Sequence, residues 1–215
     1  MRKKALLLSS LALLAVSAAA APRAEAISCI NVVNVTLLPA AGCDFGGLTF
    51  SNFNVSASAG FSAATVGTGA ASTATSSNVN LIYQLSSTPG IGPGDILLSY
   101  AVTASPGIKL TGIDLTNDAI MGPVVIGEVA CRVFTPSGTC APADRLATLV
   151  TSTGQTMNAF FTSPVDFVFL HKDIDIGVGG FISDFSNSHD VSPTPEPATL
   201  LLLGSTLTGM GLAWR

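Results

Sequence analysis

Apolar and polar side chains alternate along most of the chain, and this period of two constrains the fold more than any other feature of the sequence. Val79 and Leu81 alternate with polar residues, and Ile96 and Leu98 repeat the pattern after a turn-rich segment. Such alternation is typical of strands that bury one face. Helical periodicity is almost absent from residues 27–190, which leaves no room for the helices of an α/β protein.

Short alternating segments recur along the chain and are separated by Gly, Pro, Asn and Ser. We expect strands at residues 30–38, 48–55, 79–85, 96–102, 108–115, 124–134, 146–151, 165–172 and 178–185. Residues 60–78 are low in complexity and form either a flexible loop or, as we favour, a weak strand pair. This spacing predicts an all-β protein, an antiparallel β-sandwich of the jelly-roll or immunoglobulin-like kind.

The first 26 residues have the three parts of a secretory signal peptide. Basic residues at positions 2–4 precede an uncharged apolar run at residues 5–21, and Ala24 and Ala26 fit the small-x-small cleavage rule. Cleavage there makes Ile27 the first residue of the mature protein. The expected partners are the export translocon and signal peptidase, and the alternative is an uncleaved membrane anchor.

Export changes the interpretation of the cysteines, which are Cys29, Cys43, Cys131 and Cys140. An even number in an oxidising compartment indicates disulfides, and three pairings are possible. Turn-forming residues lie between members of two pairs, at residues 39–42 and 135–138. We therefore expect Cys29–Cys43 and Cys131–Cys140. A metal site is the alternative, but no C-x-x-C motif or nearby His pair supports one.

Charge is sparse and mostly negative. Only 10% of the 215 residues are charged, and residues 27–192 carry four basic against eleven acidic side chains. An ordinary soluble domain has about 25% charged residues. Clustered Lys and Arg are needed to bind phosphate, so this balance argues against nucleic acid and against an anionic membrane surface as partners.

The C-terminus combines a short motif, an apolar segment and one charge. Pro195, Glu196 and Pro197 precede 17 uncharged residues at 198–214, and Arg215 ends the chain. As a helix this segment is about 25 Å long at ~1.5 Å per residue, slightly short of a comfortable membrane span. The positive-inside rule would keep Arg215 in the cytoplasm and place the folded domain outside the inner membrane.

This tail resembles the PEP-CTERM sorting signal, in which Pro-Glu-Pro, an apolar helix and terminal basic residues follow one another. The resemblance implies processing by an exosortase, which removes the tail near the motif and passes the protein to the cell surface or exterior. In that family a basic cluster usually ends the tail, whereas this chain ends in Arg215 alone. Central segments such as CDFGGLTFSNFNVS also resemble uncharacterised exported proteins of that kind, which have no assigned activity.

The predicted organisation has four parts. Residues 1–26 are the signal peptide, residues 27–190 the β-sandwich, residues 191–197 a Pro-rich spacer with the sorting motif, and residues 198–215 the transmembrane sorting helix with its basic end. The precursor is therefore expected in the inner membrane, and the mature form at the cell surface or outside the cell.

Candidate catalytic residues are few. The sequence has no G-x-S-x-G motif and two histidines, His171 on a predicted strand and His189 in the predicted tail. Both are interpreted as structural, so we expect no enzyme and no catalytic residue. Asp173 and Asp175 are two residues apart and would share one strand face, a weak candidate Ca²⁺ site without the further ligands of an EF-hand loop. No cofactor is otherwise expected.

Three functional hypotheses remain from the sequence. The preferred one is an exported structural or adhesive protein of the cell envelope or matrix, associated with exopolysaccharide. The first alternative is a carbohydrate-binding, lectin-like module, with Ca²⁺ at Asp173 and Asp175 as one variant of it. The second alternative is a secreted hydrolase with a site that no sequence motif marks.

Overall fold

The computed structural model describes residues 27–58, 65–86, 93–118, 121–135 and 139–194. The predicted signal peptide with Ala24 and Ala26, the Pro195-Glu196-Pro197 motif and residues 198–215 with Arg215 lie outside the described residues. Within the described ranges, no helix has the length and apolar character needed to cross a membrane.

Thirteen strands are described, and two sheets contain all of them. The strands are β1 (Ile27–Ser28), β2 (Cys43–Phe45), β3 (Leu48–Ala57), β4 (Thr65–Thr68), β5 (Thr73–Ala74), β6 (Asn78–Ser86), β7 (Gly94–Ala104), β8 (Ile108–Thr116), β9 (Val124–Cys131), β10 (Arg145–Ser152), β11 (Thr156–Val165), β12 (Phe167–Ile176) and β13 (Asp184–Pro193). One sheet has the order β1-β2-β3-β7-β12-β9-β10. The other has the order β11-β8-β13-β6-β4, and β5 also pairs with β6. The prediction of an all-β, two-sheet architecture is confirmed.

The core lies between the two sheets and follows the period-two pattern. In β12, Val168, Leu170 and Ile174 are fully buried, while Asp173 and Asp175 between and beside them are exposed. In β6 of the opposite sheet, Val79 and the alternate residues after it face the same core. In these two strands, alternation therefore predicted both the strand and the side that it buries. All strand pairs are antiparallel apart from β1 and β2, which are parallel.

Two predicted strands are wrong. Residues 30–38 contain a 3-10 turn at Val35–Leu37, which begins where the Asn34 side chain accepts a hydrogen bond of 3.0 Å from the Thr36 amide. Asn competes for backbone groups in this way, and here the local bond replaces a strand ladder. Residues 178–183 contain a turn and a single bridge from Phe181 to Met121, and the strand begins only at Asp184.

Strands β11 and β13 were not predicted, because β11 lacks regular alternation and β13 has few apolar residues. The strand β13 reads DFSNSHDVSP and lies between β6 and β8, in the middle of its sheet. It continues to Pro193, beyond the expected domain end at residue 190. In the low-complexity segment, β4 and β5 each pair with β6 rather than with each other.

The two predicted disulfides, Cys29–Cys43 and Cys131–Cys140, are present, and no described cysteine is free. The first closes over a turn in which the Gly42 amide donates to the Pro39 carbonyl at 2.7 Å. Gly42 has φ +80° and approaches the Phe50 backbone, so a side chain there would collide. Residues 136–138 of the second predicted turn are outside the described ranges. Two disulfides fit an oxidising extracellular or periplasmic compartment.

Candidate functional site

A groove of about 580 Å³ crosses the solvent side of the seven-stranded sheet. Two neighbouring rows of outward side chains form its floor, one residue from each of β3, β7, β12, β9 and β10. The rows are Asn54, Ser99, His171, Val129 and Thr148, and Ser56, Leu97, Asp173, Gly127 and Val150. Thr139, beside the second disulfide, also lines this space, which we call the outer groove.

A local irregularity in β3 turns two polar residues into the outer groove. Asn52 has φ +55°, and the pairing of β3 with β7 shifts register between Ser51 and Asn54. Such a bulge reverses which residues face the core. Phe53 therefore turns inward and stacks on Tyr100 with 5.4 Å between ring centroids, while Asn54 points to solvent. Simple alternation continued from Leu48 would have placed these two residues the other way round.

The centre of the outer groove is apolar and shallow. Leu97 is 50% exposed and Val150 is 57% exposed, so both offer apolar surface to the outer groove. Gly127 pairs with Asp173 and with Val150 and has no side chain, so it leaves an open space between these neighbours. Apolar surface with a few polar groups around it is the usual composition of a small-molecule or oligomer site.

One end of the outer groove is closed by the disulfide-bonded segment. His171 Nε2 lies 3.1 Å from the Thr135 hydroxyl, and Phe169 meets the His171 ring edge-on at 4.7 Å. Phe134 packs on Phe169 at 4.5 Å and is 53% exposed. Burial lowers the pKa of His171, and a hydrogen bond with Thr135 opposes that effect. The imidazole is therefore mostly neutral at pH 7.

The other end of the outer groove is acidic. Asp173 and Asp175 share the exposed face of β12, as predicted, and Asp175 is paired across strands with Asp95. Burial raises the pKa of Asp173, and repulsion by Asp95 and Asp175 raises it further. Among the described residues, no three His, Cys, Asp or Glu side chains are placed to hold a metal ion. Calcium at Asp173 and Asp175 stays a prediction.

The inward faces of the same strands carry a group of polar residues that the sequence interpretation missed. Lys172 and Glu128 are cross-strand neighbours on β12 and β9, are fully buried and form an ion pair. Asn187 reaches them from β13 of the other sheet, and Tyr100 donates a hydrogen bond of 2.5 Å to Asn187 Oδ1. We call Lys172, Glu128, Asn187 and Tyr100 the core polar cluster. In the sequence, the cluster is indicated by Lys172 and Glu128, because each is a charged residue at a core-facing position of a strand whose apolar residues alternate.

His189 is a correction to the sequence interpretation, which placed it in a tail. It lies in β13, is fully buried, and contacts the Phe50 ring edge-on at 5.3 Å. Its Nδ1 is 3.4 Å from the Val79 carbonyl oxygen. Burial, with a smaller contribution from the charge on Lys172, lowers the pKa of His189 to about 3. His189 is therefore a neutral core residue, consistent with the structural role that we expected.

Comparison with known proteins assigns no family to the chain. No protein-family model matches it, and no curated protein matches it. Among solved structures, the structure of TmCBM61 in complex with beta-1,4-galactotriose is similar with a TM-score of 0.32 and 12% sequence identity. The match covers 68% of this chain and 90% of that chain. Its function must therefore be inferred from its own residues.

Proposed function

We propose that this chain is an exported protein of the cell envelope or extracellular matrix, and that the outer groove binds a neutral segment of an exopolysaccharide. The observation that carries the proposal is the groove itself, an open apolar strip with amide and hydroxyl groups along both rows. Four strand spacings of ~4.8 Å make it about 19 Å across, which suits a chain molecule better than a single small ligand.

The charges of the outer groove favour a neutral ligand. Its ionisable side chains are His171, which is mostly neutral at pH 7, and Asp173. Lys172 is fully buried and points to the core, so its charge is not offered to a ligand. An acidic polymer would meet Asp173 and the neighbouring pair Asp95 and Asp175 without a compensating cation, and repulsion would weaken its binding.

Sugar chains present hydroxyl groups beside apolar C–H surfaces, and the outer groove has partners for both. Asn54, Ser99 and Thr148 supply donors and acceptors in one row. Leu97 and Val150 supply exposed apolar area in the next. Phe134 packs on Phe169, and Phe169 contacts His171. The half-exposed ring of Phe134 therefore supplies aromatic surface at the disulfide end of the outer groove. Ligand sites commonly combine such apolar area with a few orienting polar groups.

The test is binding of the purified domain to neutral and acidic polysaccharides, measured by affinity electrophoresis and titration calorimetry. Ser56→Trp would fill one side of the outer groove and is expected to reduce binding at least tenfold. Ser163→Trp makes the same change at an exposed position on β11 of the other sheet and should leave binding unchanged. Equal binding by both variants would contradict the proposal, as would a preference for acidic polymers.

The same assay separates calcium-dependent from calcium-independent binding. Loss of binding in chelator and in Asp175→Asn would support the lectin-like variant with a cation at Asp173 and Asp175. Binding that survives chelator would assign recognition to the outer groove without a metal. Turnover of a polymer or ester substrate would instead support the hydrolase alternative.

Delivery to the exterior by an exosortase is a second part of the proposal and rests on the resemblance of residues 193–215 to the PEP-CTERM signal. The test is the C-terminal mass of the protein released by its host. A product ending near Pro195, Glu196 or Pro197 would support processing. A released product that retains Arg215 would contradict it.

A further inference from the structure

The core polar cluster brings together an amine, a carboxylate and a carboxamide in a space without solvent. Lys172, Glu128 and Asn187 are each fully buried. Lys172 Nζ and Asn187 Nδ2 both contact the same oxygen, Glu128 Oε2, and the Asn187 contact measures 3.3 Å. Isolated buried charges are costly, and replacing an ion pair by apolar residues is often neutral or stabilising. Stability alone therefore does not account for this set of groups.

The carboxamide of Asn187 is oriented by hydrogen bonds on both sides. Nδ2 donates to the Asp114 carbonyl oxygen at 2.6 Å and to Glu128, while Oδ1 accepts from the Tyr100 hydroxyl. Because two acceptors face Nδ2, the network assigns its orientation without ambiguity. The Tyr100 hydrogen bond draws electron density from the carbonyl and stands where negative charge develops when a nucleophile adds to Cγ.

The Lys172 amine can act as the nucleophile toward the Asn187 carboxamide, and the Glu128 carboxylate can carry protons between the two nitrogens. Burial lowers the pKa of Lys172, although the charge of Glu128 opposes this effect. Lys172 Nζ lies over the rings of Tyr100 and Phe185, with 5.9 and 5.5 Å to their centroids. These rings help to exclude water, which would otherwise compete for the carboxamide. Glu128, in contact with both nitrogens, can take a proton from one and give it to the other.

We propose that Lys172 and Asn187 form an intramolecular isopeptide bond, with Glu128 as the proton-transferring residue. Glu128 takes a proton from the Lys172 ammonium group, and the free amine adds to Asn187 Cγ. The Nζ–Cγ bond forms, Glu128 delivers this proton and then a second one from Nζ to Nδ2, the Cγ–Nδ2 bond breaks, and the nitrogen leaves as an ammonium ion while one hydrogen stays on the new amide nitrogen. Glu128 ends as a carboxylate, and the step needs no oxidant, reductant or co-reactant.

The bond would join the two sheets covalently through the core. Lys172 is on β12, an interior strand of the seven-stranded sheet, and Asn187 is on β13, at the centre of the other. The two disulfides lie elsewhere. Cys29–Cys43 joins the residue after β1 to β2, and Cys131–Cys140 lies on the outer side near Phe169. A covalent link between the sheets suits a protein that bears load outside the cell. The inference does not depend on the ligand of the outer groove.

The first experiment is the intact mass of the exported, folded domain after reduction of its disulfides. The expected mass is about 17 Da below the sequence value because ammonia is lost. Digestion at aspartate should give a branched peptide, since Asp173 and Asp184 lie between the two linked residues. A folded domain with the full sequence mass would overturn the proposal. A loss of about 18 Da with Glu128 in the branched peptide would also overturn it, because water loss indicates a Lys172–Glu128 amide.

Matched variants separate the chemistry from folding. Glu128→Gln keeps the size of the side chain but cannot carry the proton, and Lys172→Arg removes the nucleophile. Both should have the full sequence mass, whereas Lys109→Arg, an exposed lysine exchange, should keep the loss of about 17 Da. The unlinked variants should melt roughly 6–12 °C lower if they lose the entropy gain of a closed loop. A mass loss that persists in Lys172→Arg would overturn the proposal even if that variant folds poorly.

Discussion

The two faces of strand β12 carry ionisable residues in opposite environments. On the outer face, His171 and Asp173 line the outer groove and reach solvent. On the inner face, the neighbouring residue Lys172 is completely buried and its charge is compensated by Glu128. Residues that are adjacent in sequence therefore differ in burial and in access to water, and these two properties determine how much stability is lost when each is replaced.

This difference teaches where function and stability can be separated in the protein. A polar group on the outer face exchanges one set of water contacts for another when it is mutated, so folding changes little. A polar group of the core polar cluster has buried protein groups as its partners, and its loss leaves them unpaired. Groove variants should thus alter binding while leaving folding intact, and cluster variants should do the reverse.

The largest expected effect is that of Glu128→Ala. Without Glu128 the proposed link to Asn187 does not form, and the Lys172 amine stays buried without a carboxylate, which by itself costs about 3–5 kcal/mol of unfolding free energy. Urea denaturation measures the change. The double variant Glu128→Leu with Lys172→Met should recover the part of the loss that comes from the unpaired charge, because apolar residues replace both charges, but not the part that comes from the missing covalent link. If Glu128→Ala were as stable as the wild type, the inner and outer faces would not differ in the stability cost of replacing a polar residue.

The second prediction concerns His189 and acid. In the folded protein the pKa of this ring is lowered to about 3, whereas an unperturbed histidine has a pKa of about 6.5. The unfolded state therefore binds more protons between these values, and the free energy of unfolding falls by up to ~1.4 kcal/mol per pH unit as the pH drops below about 6. His189→Gln should remove this contribution when denaturation curves at pH 7 and pH 4.5 are compared. His171→Gln, on the outer face, should change the pH dependence much less.

The two disulfides provide the third prediction. Replacing either pair by serine should cost about 2–3 kcal/mol of stability, since the closed loops are of similar length. Only Cys131→Ser with Cys140→Ser should also weaken ligand binding, because that loop holds Thr139 and Thr135 beside the outer groove. Calorimetric titration of both double variants tests the difference. Equal affinities would remove the 131–140 segment from the proposed site.

The smallest expected effect is that of Asp173→Asn. The pKa of Asp173 is raised, so ionisation slightly disfavours the folded state and removing the charge should raise the melting temperature by a small amount at pH 7. The gain should disappear in acid, where wild-type Asp173 is protonated as well. Thermal melts at pH 7 and pH 3 measure it, and a loss of stability at pH 7 would indicate a favourable partner for this carboxylate.

The parts of the fold that were predicted correctly are those where the local sequence pattern agrees with the burial that the tertiary structure imposes on each residue. Strands such as β7 and β12 alternate cleanly, and the disulfides close over short turn-containing segments. The strand β13 could not be predicted in this way because its core-facing residues include Asn187 and His189. Those residues are tolerated inside only because β9, β12 and β6 bring partners to them, and such partners are not apparent from neighbouring sequence positions.

The candidate sites show the same division. Asp173 and Asp175 were placed correctly on one strand face, since period two requires it. The outer groove could not be predicted, because its rows combine residues from five strands and depend on the bulge at Asn52. The core polar cluster was missed although one sign was visible, a single Lys and a single Glu at core-facing positions of two strands.

The sequence by itself determined the all-β class, the cysteine pairing and the expectation of export, because each depends on local patterns or on short loops. Only the tertiary structure decided which side chains meet across strands and between sheets. Those contacts join residues far apart in the chain, such as Glu128 and Asn187. Burial then sets their chemistry, since removing water makes each polar group depend on the partners that the fold provides.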